Sequence, residues 1–494
     1  KMDCVSFRYN LDFLSGGCND EGFCVSWSKK NDIAYGCGTN IIILRQMNTD
    51  DFIFNYCISF HEAKINLVKF LAFNETELLI TSDSNNNLLI CQNSPISNHY
   101  EPVFNQNYPS RIMPNFLILS NCIILLLVGQ TIDQLVISIK NKEIVATIIA
   151  GREFTDFYPL CACTFKIYDA MFIALGGTSN IVHIKNIHCD SSDTIKLNAH
   201  DDWVKSISIV QPSNSDYYLL ATASQDRVIC IWKIEKSNIY QSEDQSLLSS
   251  INKQYFIVQN NQNSVNFSIK KESLLISHEA HVSYLEWLTE NRSYPRLLSI
   301  DMDEMLLIWE YDNVNKLWND RIRFGCRKNI KLGYLGCAHN TICDKFITYG
   351  KDGVLHLWVQ TDNSKVFIEK YASSGHFDGI TDMSIKSGTH PLIATCSCDM
   401  TVRVYGLALL DGERFWVEVC RPVVHGHSIQ AVCWLSSSIL ISAASEKPIR
   451  LHKASKIYFQ ILKKFKIIEK FPDVYYFVNI RILMNFLILV YPNP

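Results

Sequence analysis

Three kinds of polar side chain recur at fixed spacing in this chain, and together they have the composition of a serine-hydrolase triad. Several strand-like segments end in a ring-bearing residue: Trp232, Trp309, Trp358, Tyr405 and His452. An acid lies six residues before each of them: Asp226, Asp303, Asp352, Asp399 and Glu446. A hydroxyl lies ten residues before each of them: Thr222, Ser299, Thr348, Thr395 and Ser442. In a weaker unit that ends at Cys91, Thr81 occupies the same position. Histidines precede most units: His61, His200, His278, His376 and His427.

Catalysis needs one such constellation in a cleft beside an oxyanion hole, whereas this pattern repeats along the chain. A structural network accounts for the repetition, because the acid can hold the histidine, the histidine can bond the hydroxyl and the hydroxyl can reach the indole N–H. Leaving one of these buried groups unpaired would cost roughly 1–3 kcal/mol. We call each network a staple and predict no catalytic, cofactor-binding or metal-binding residue. The predicted staple residues are His200, Thr222, Asp226, Trp232, His278, Ser299, Asp303, Trp309, Thr348, Asp352, Trp358, His376, Thr395, Asp399 and Tyr405.

The elements that position the staples follow from the period of the pattern. Nine positions carry the pattern: 44, 91, 138, 185, 232, 309, 358, 405 and 452. Successive positions are separated by about 47 residues, except for the much longer interval between 232 and 309, which holds a polar stretch. A period of about 40–50 residues with several short alternating strands per unit is typical of a propeller blade. Helical repeats of similar length lack Val/Ile-rich alternating segments with polar turns. The sequence therefore predicts an all-β fold, a WD40-type β-propeller. Since single rings typically hold 4–8 blades, nine units predict one seven-bladed ring and the first two blades of a second.

The same period predicts the domain boundaries. Residues 1–365 form the first propeller, with a polar insertion at 237–264 that we interpret as a disordered surface loop. Residues 366–460 form two blades of a second propeller, and 461–494 form an atypical hydrophobic tail. Three explanations compete for the tail: a truncated or mis-spliced gene, a divergent closing strand, or a membrane anchor at Val474–Tyr491, which the embedded Arg481 disfavours. The apolar run Phe116–Val128 is too short to span a membrane and predicts two strands around a turn.

Composition excludes several functional classes. The net charge of −3 argues against general nucleic-acid binding. The 18 cysteines are scattered along the chain, and residues 1–10 are mixed polar without signal-peptide character, so reduced thiols in the cytoplasm are expected. The nucleus is expected as a second location. Cys161 with Cys163 and Cys396 with Cys398 alternate as on strands and lack the spacing of zinc ligands.

An ordered set of strings between residues 199 and 453 resembles the second subunit of the Elongator complex. The strings of its fifth and sixth blades are 199–204, 220–226, 277–279, 298–303 and 307–309. Less generic strings follow: Trp318, 321–325, 332–334, 353–358, 374–379, 421–427 and 445–447. Residues 1–198 match in spacing with few diagnostic letters. The chain departs from the family after Lys453, where the blade pattern stops, and at Arg327-Lys328, where the family has a glycine-rich turn.

The resemblance implies a non-catalytic scaffold of the assembly that modifies the wobble uridine of transfer RNAs. In that family a double propeller holds a radical S-adenosylmethionine acetyltransferase-like subunit against the large scaffold subunit. These two subunits are therefore the expected partners, with no membrane, no cofactor and at most indirect contact with transfer RNA. The sequence itself has no iron–sulfur cysteine run and no phosphate-binding glycine loop.

Other functions stay open at this point. A generic WD-repeat adaptor, such as a ubiquitin-ligase substrate receptor, is the first alternative, although it would lack the strings from Trp318 to Trp358. An enzyme would need acids outside the staples, and we interpret the candidates Asp201, Asp202 and Asp301 as solvated turn residues. Direct RNA contact would use Lys463-Lys464-Phe465-Lys466 or Arg321–Lys328, and the net charge disfavours it as a main role.

Overall fold

The structure is a computed structural model, and its description covers most of the chain between residues 16 and 468. The described ranges are 16–46, 52–73, 76–94, 99–119, 122–129, 131–140, 143–153, 157–187, 194–198, 200–213, 215–237, 253–260, 263–288, 294–325, 333–361, 366–370, 375–386, 391–410, 413–422, 425–436, 438–446 and 448–468. The backbone divides into two compact units. We call Asn19–Ala372 the ring unit, and Lys1–Cys18 with Ser373–Pro494 the second unit.

The ring unit contains seven antiparallel sheets, which we number as blades 1–7. Blade 1 contains β1 (Val25–Trp27), β2 (Asp32–Cys37), β3 (Asn40–Gln46) and β4 (Phe52–Ile58). Blade 2 contains β5 (Ile65–Phe73), β6 (Thr76–Asp83), β7 (Asn87–Asn93) and β8 (Tyr100–Asn107). Blade 3 contains β9 (Ile112–Leu119), β10 (Cys122–Val128), β11 (Thr131–Lys140) and β12 (Glu143–Glu153). Blade 4 contains β13 (Pro159–Ile167), β14 (Ala170–Gly177), β15 (Ile181–Asn186) and β16 (Ile195–Asn198).

The remaining blades of this unit follow the same plan, with one addition. Blade 5 contains β17 (Val204–Val210), β18 (Tyr217–Ser224), β19 (Ile229–Lys236), and two further strands, β20 (Lys253–Asn260) and β21 (Asn263–Leu275). Its strand order is β17-β18-β19-β21-β20. Blade 6 contains β22 (Val282–Leu288), β23 (Arg296–Asp301), β24 (Met305–Asp312) and β25 (Leu317–Gly325). Blade 7 contains β26 (Tyr334–His339), β27 (Lys345–Gly350), β28 (Leu355–Gln360) and β29 (Phe367–Lys370).

The first strand of each blade lies innermost and contacts the first strand of the next blade. This succession runs from β1 through β5, β9, β13, β17 and β22 to β26, and β26 contacts β1, so the seven sheets close into a ring. One hydrogen bond crosses the closure, in which the Cys24 N–H donates to the hydroxyl of Tyr349 at 3.1 Å. The ring unit is a seven-bladed β-propeller.

The middle strands of the blades are buried on both faces, because a neighbouring blade covers each side. β18 is buried from Leu219 to Ser224 without alternation, and β19 from Ile229 to Trp232. Val204, Leu220 and Trp232 pack towards blade 4, whereas Ala221 and Ile231 pack towards blade 6. Each fully buried large apolar side chain contributes roughly 1.5–3 kcal/mol, so the core consists of the interfaces between blades.

The second unit contains two more sheets, blades 8 and 9, and a helix. Blade 8 contains β30 (Ile380–Lys386), β31 (Leu392–Ser397), β32 (Val402–Leu410) and β33 (Glu413–Cys420). Blade 9 contains β34 (Ile429–Ser436), β35 (Ile439–Ala444) and β36 (Ile449–Lys453). Helix α1 (Lys456–Lys464) begins after Ser455, whose hydroxyl caps the helix by accepting the Tyr458 N–H at 3.2 Å. The helix buries Tyr458, Phe459 and Leu462 in the core of this unit.

The period of 47 residues predicted the blades correctly. Each of the nine marked positions lies in the third strand of one sheet, from Leu44 in β3 to His452 in β36. The WD40-type propeller is therefore confirmed. The prediction of two strands in Phe116–Val128 is also confirmed, because β9 and β10 pair antiparallel there.

Two expectations need correction. Residues 253–260 and 263–264 do not belong to a disordered loop, because β20 and β21 pair there and extend blade 5; residues 238–252 lie outside the described residues. Phe256 explains the pairing, since it packs on Phe172 and Phe267. The start of the tail is helical and not a closing strand. Val474–Tyr491 lies outside the described residues, and no helix within them is long and apolar enough to cross a membrane.

Candidate functional site

The staple of blade 5 brings together all four of its predicted residues. The Nδ1–H of His200 donates to the carboxylate of Asp226 at 2.9 Å, which leaves Nε2 to accept the hydroxyl of Thr222 at 2.9 Å. The indole N–H of Trp232 donates to the same hydroxyl at 3.3 Å. Burial opposes ionisation of Asp226, but the hydrogen bonds from His200 and from two backbone N–H groups outweigh it and hold the carboxyl pKa below its ordinary value.

The staple of blade 8 has the same core with a different ring. His376 donates to Asp399 at 2.8 Å and accepts from Thr395 at 2.8 Å. The hydroxyl of Thr401 also donates to Asp399, at 2.6 Å. Burial again opposes ionisation of Asp399, yet the bonds from His376 and Thr401 lower its pKa. Tyr405 takes the place of the tryptophan and is buried on β32.

The prediction for Asp303 in blade 6 is wrong, because the carboxylate that binds His278 belongs to Asp301. His278 bonds Asp301 at 2.9 Å and Ser299 at 2.7 Å, and the Trp309 N–H donates to Ser299 at 2.8 Å. Asp301 is 1% exposed, so its interpretation as a solvated turn acid is wrong as well. It lies two residues after the hydroxyl and also accepts the Asp303 N–H at 2.9 Å.

Blade 2 repeats this arrangement in a unit where only part of the pattern was visible in the sequence. His61 bonds Asp83 at 3.0 Å and Thr81 at 2.9 Å. Asp83 lies two residues after Thr81, and all three side chains are buried. The spacing of Asp226 and Asp399 does not predict Asp83, because those acids lie four residues after their hydroxyls.

Blade 7 keeps only part of the staple. The Trp358 N–H donates to Thr348 at 3.0 Å, and Asp352 accepts the N–H of Val354 at 3.2 Å. No histidine precedes this blade in the staple position. Gly353, with φ of +68°, occupies the left-handed position of the turn.

Blade 9 uses His425 in place of the predicted His427. His425 bonds Glu446 at 2.5 Å and Ser442 at 2.7 Å, and Ser442 lies 2.8 Å from His452 Nε2. An imidazole thus stands where other blades have an indole. Burial, together with His425 and Arg450, lowers the pKa of His452 to about 4.

The staple hydroxyls cannot serve as nucleophiles for an external substrate. Thr222, Ser299, Thr348 and Ser442 are completely buried, and Thr395 is 7% exposed. In blades 5 and 6 each hydroxyl donates to a histidine and accepts an indole N–H, so its single O–H donor is engaged within the blade. The geometry fits a structural role in holding each loop on its blade.

A second recurrent network, which the sequence pattern did not predict, joins neighbouring blades. Hydroxyls on inner strands accept backbone N–H groups of the next blade: Ser26 from Phe70, Ser206 from Leu285 and Ser208 from Trp287. A serine in a strand normally indicates a polar face, so the signal is visible only once the register of adjacent inner strands is known.

A cavity of about 480 Å³ lies along the axis of the ring, and the first strands of the seven blades line it. Glu286 lines it and accepts the Tyr284 hydroxyl at 2.7 Å, with His339 Nε2 at 3.6 Å. Burial opposes ionisation of Glu286, but His339, Lys69 and the Tyr284 hydroxyl lower its pKa overall. No group of three metal-ligating side chains occurs among the described residues, including those around the two cysteine pairs.

The remaining candidates lie on the surface. Asp201 and Asp202 are exposed, and their backbone is held by Asp226 and Ser224. Arg321 and Arg323 lie on β25 and pair with Asp312 and Asp320, whereas residues 326–332 lie outside the described ranges. Lys463 and Lys464 end helix α1.

Comparisons with known proteins agree with the fold. The family described as WD domain, G-beta repeat matches residues 191–233 and 368–406. Elongator complex protein 2 of Saccharomyces cerevisiae is 26% identical over 88% of this chain and 57% of its own length. The human protein of that name is 26% identical over 60% and 37%, and the Dictyostelium discoideum one is 22% identical over 90% and 58%. The predicted resemblance is confirmed. The chain spans about half the length of the curated relatives it matches.

Proposed function

We propose that this chain, a relative of Elongator complex protein 2, is a non-catalytic scaffold subunit of an Elongator complex. The observation that carries the proposal is the similarity to proteins of that name in fungi, animals and amoebae over up to 90% of the chain. The staple hydroxyls are buried, which supports a role without chemistry of their own. A rigid ring presents loops on several faces and suits the joining of other subunits.

The finer proposal concerns what the scaffold holds. We infer that the chain joins the large scaffold subunit to the radical S-adenosylmethionine acetyltransferase-like subunit, and so supports modification of wobble uridines in transfer RNA. The same proposal places it in the cytoplasm and also in the nucleus, which imaging of the tagged chain tests.

Affinity capture of the tagged full chain from cell extract tests the proposal. We expect recovery of the acetyltransferase-like and large scaffold subunits. A Lys29→Gln variant, changed at an exposed turn, should recover the same partners, whereas an Asp301→Ala variant with a weakened ring should recover less. Recovery of ubiquitin-ligase subunits without the acetyltransferase-like subunit would favour the adaptor alternative and overturn the proposal.

A further inference from the structure

The segment at 448–468 is the most basic part of the described chain. It contains six cations and no acid, in a chain whose net charge is −3. Five of the cations are exposed lysines, and we call them the lysine face: Lys453, Lys456, Lys463, Lys464 and Lys466. The sixth, Arg450, pairs with Glu446 at 2.8 Å. The lysine face therefore contrasts with the charge of the whole protein.

Helix α1 fixes the direction of these lysines. Its apolar side, formed by Tyr458, Phe459 and Leu462, is buried in the core of the second unit. Lys456 and Lys463 lie seven residues apart, on the same side of the helix and about 10 Å from each other at 1.5 Å per residue. The next segment is also anchored, because Ile467 is buried and the Leu409 N–H donates to the Phe465 carbonyl at 3.1 Å. The cations are thus held on a fixed outer surface.

The stability of the helix explains only part of this charge. Lys463 and Lys464 lie in the last turn, where cations interact favourably with the helix dipole. Lys456 lies in the first turn, which contains no acid, and a cation is unfavourable there. Lys453 and Lys466 lie outside the helix. A surface selected only for helix stability would not place cations at both ends.

The burial of the apolar side of the helix argues against a membrane as the anionic partner. Membrane-binding amphipathic helices insert their apolar side into the lipid, and here that side is packed against the sheet. Lysines at separations of several ångströms are suited to successive phosphates, which they bind as point charges. We propose that the lysine face binds the phosphate backbone of nucleic acid without reading its sequence. This inference goes beyond the scaffold role and does not depend on it.

Fluorescence anisotropy with the full chain and a labelled 20-nucleotide poly(U) RNA tests the inference, with poly(dT) DNA of equal length as the second arm. The variant Lys456→Gln/Lys463→Gln/Lys464→Gln/Lys466→Gln should bind at least about tenfold more weakly at 50 mM salt. The slope of log K against log[salt] should fall by about 3, since each neutralised phosphate of a single strand contributes about 0.7.

Matched variants separate binding from charge and folding. The variant Lys29→Gln/Lys30→Gln/Lys196→Gln/Lys316→Gln removes four exposed lysines of the ring unit and should bind like the unchanged protein. Arginine at the same four positions, 456, 463, 464 and 466, should keep binding, and unchanged melting midpoints show that the variants fold. If the glutamine variant of the ring unit loses as much RNA affinity as the glutamine variant of the lysine face, the assignment of binding to the lysine face is overturned. Binding of RNA but not DNA, equal competition by polyglutamate, or binding of phosphatidylserine vesicles in preference to RNA would overturn recognition through nucleic-acid phosphate.

Discussion

The turns of blade 5 and blade 6 have the same backbone but supply the staple carboxylate from different positions. In both turns the fifth residue after the hydroxyl is left-handed: Arg227 with φ of +72° and Glu304 with φ of +62°. The carboxylate lies four residues after the hydroxyl in blade 5 and two residues after it in blade 6. The turn geometry is therefore fixed, while the position of the acid within it varies.

The two turns differ in which side chains accept the same backbone hydrogen bonds. In blade 5, Ser224 accepts the Asp226 N–H at 3.1 Å, and Asp226 accepts the Val228 N–H at 2.9 Å as well as His200. In blade 6, Asp301 alone accepts the equivalent N–H groups of Asp303 and Met305, at 2.9 and 3.0 Å, and holds His278. One aspartate thus replaces a serine and an aspartate. Blade 2 follows blade 6, and blade 8 follows blade 5.

The largest effect is expected at the acid that has all three roles. Asp301→Ala would leave the His278 Nδ1–H and two backbone N–H groups without their acceptor, at roughly 1 kcal/mol each, so we expect a loss of about 3 kcal/mol. Asp303→Ala, two residues away, should cost less than about 1 kcal/mol. Chemical denaturation of both variants measures the difference, and an equal loss would contradict the reassignment of the acid.

A smaller loss is expected in blade 5, because the Asp226 side chain is 12% exposed and that of Asp301 only 2%. Asp226→Ala should cost about 2 kcal/mol, since water can partly replace the carboxylate.

Moving the aspartate of blade 5 to the position that it has in blade 6 tests this difference directly. Ser224→Asp in the Asp226→Ala background should recover more than half of the lost stability. An aspartate at the equivalent position of blade 6, Asp301, accepts both backbone N–H groups and the histidine. Ser224→Asn, similar in size but uncharged, should recover less. If neither substitution restores the melting midpoint, the two turns are not interchangeable.

The staple of blade 9 should make stability depend on pH, because its ring is the imidazole of His452. The pKa of His452 lies at about 4 in the folded protein, below the ordinary value of 6.5, so the unfolded chain binds the proton more readily. Stability from this group is complete above pH 6.5 and is lost as the pH falls towards 4. His452→Trp should make the melting midpoint of the second unit less sensitive in this range. Burial also lowers the pKa of His425, so part of the dependence should remain. An unchanged dependence would exclude His452 as its source.

The smallest effect concerns the shared left-handed position. Arg227→Gly should stabilise blade 5 by about 0.5 kcal/mol, since glycine adopts positive φ without strain at some cost in chain entropy. Gly353→Ala in blade 7 should destabilise by about 1 kcal/mol for the same reason. Thermal melting of both variants measures these shifts, and effects of the same sign would show that the backbones differ.

The sequence correctly indicated which histidines and hydroxyls pair in blades 5, 6 and 8, but it misassigned other residues of the networks. His200, His278 and His376 each bond the hydroxyl that their spacing indicated. The spacing indicated Asp303 and His427, whereas Asp301 and His425 make the bonds, because a fixed spacing cannot show which of two nearby side chains points at its partner. The sequence gives no sign of the serines that join blades, since each serine hydroxyl lies 44 or 79 residues from the backbone N–H that it accepts.

By itself the sequence determined the number of blades, the third strand of each, and the type of residue at each staple. These features are local, because strand alternation and turn chemistry act over a few residues. Tertiary structure alone decided burial. β17 and β30 have matching register and similar apolar residues, yet Ile207 is 7% exposed and Met383 56%. Blade 4 covers that face of β17, whereas blade 9 packs on the opposite face of β30 through Asp382 and Ser384. An inner strand is buried only where a neighbouring sheet supplies the second surface.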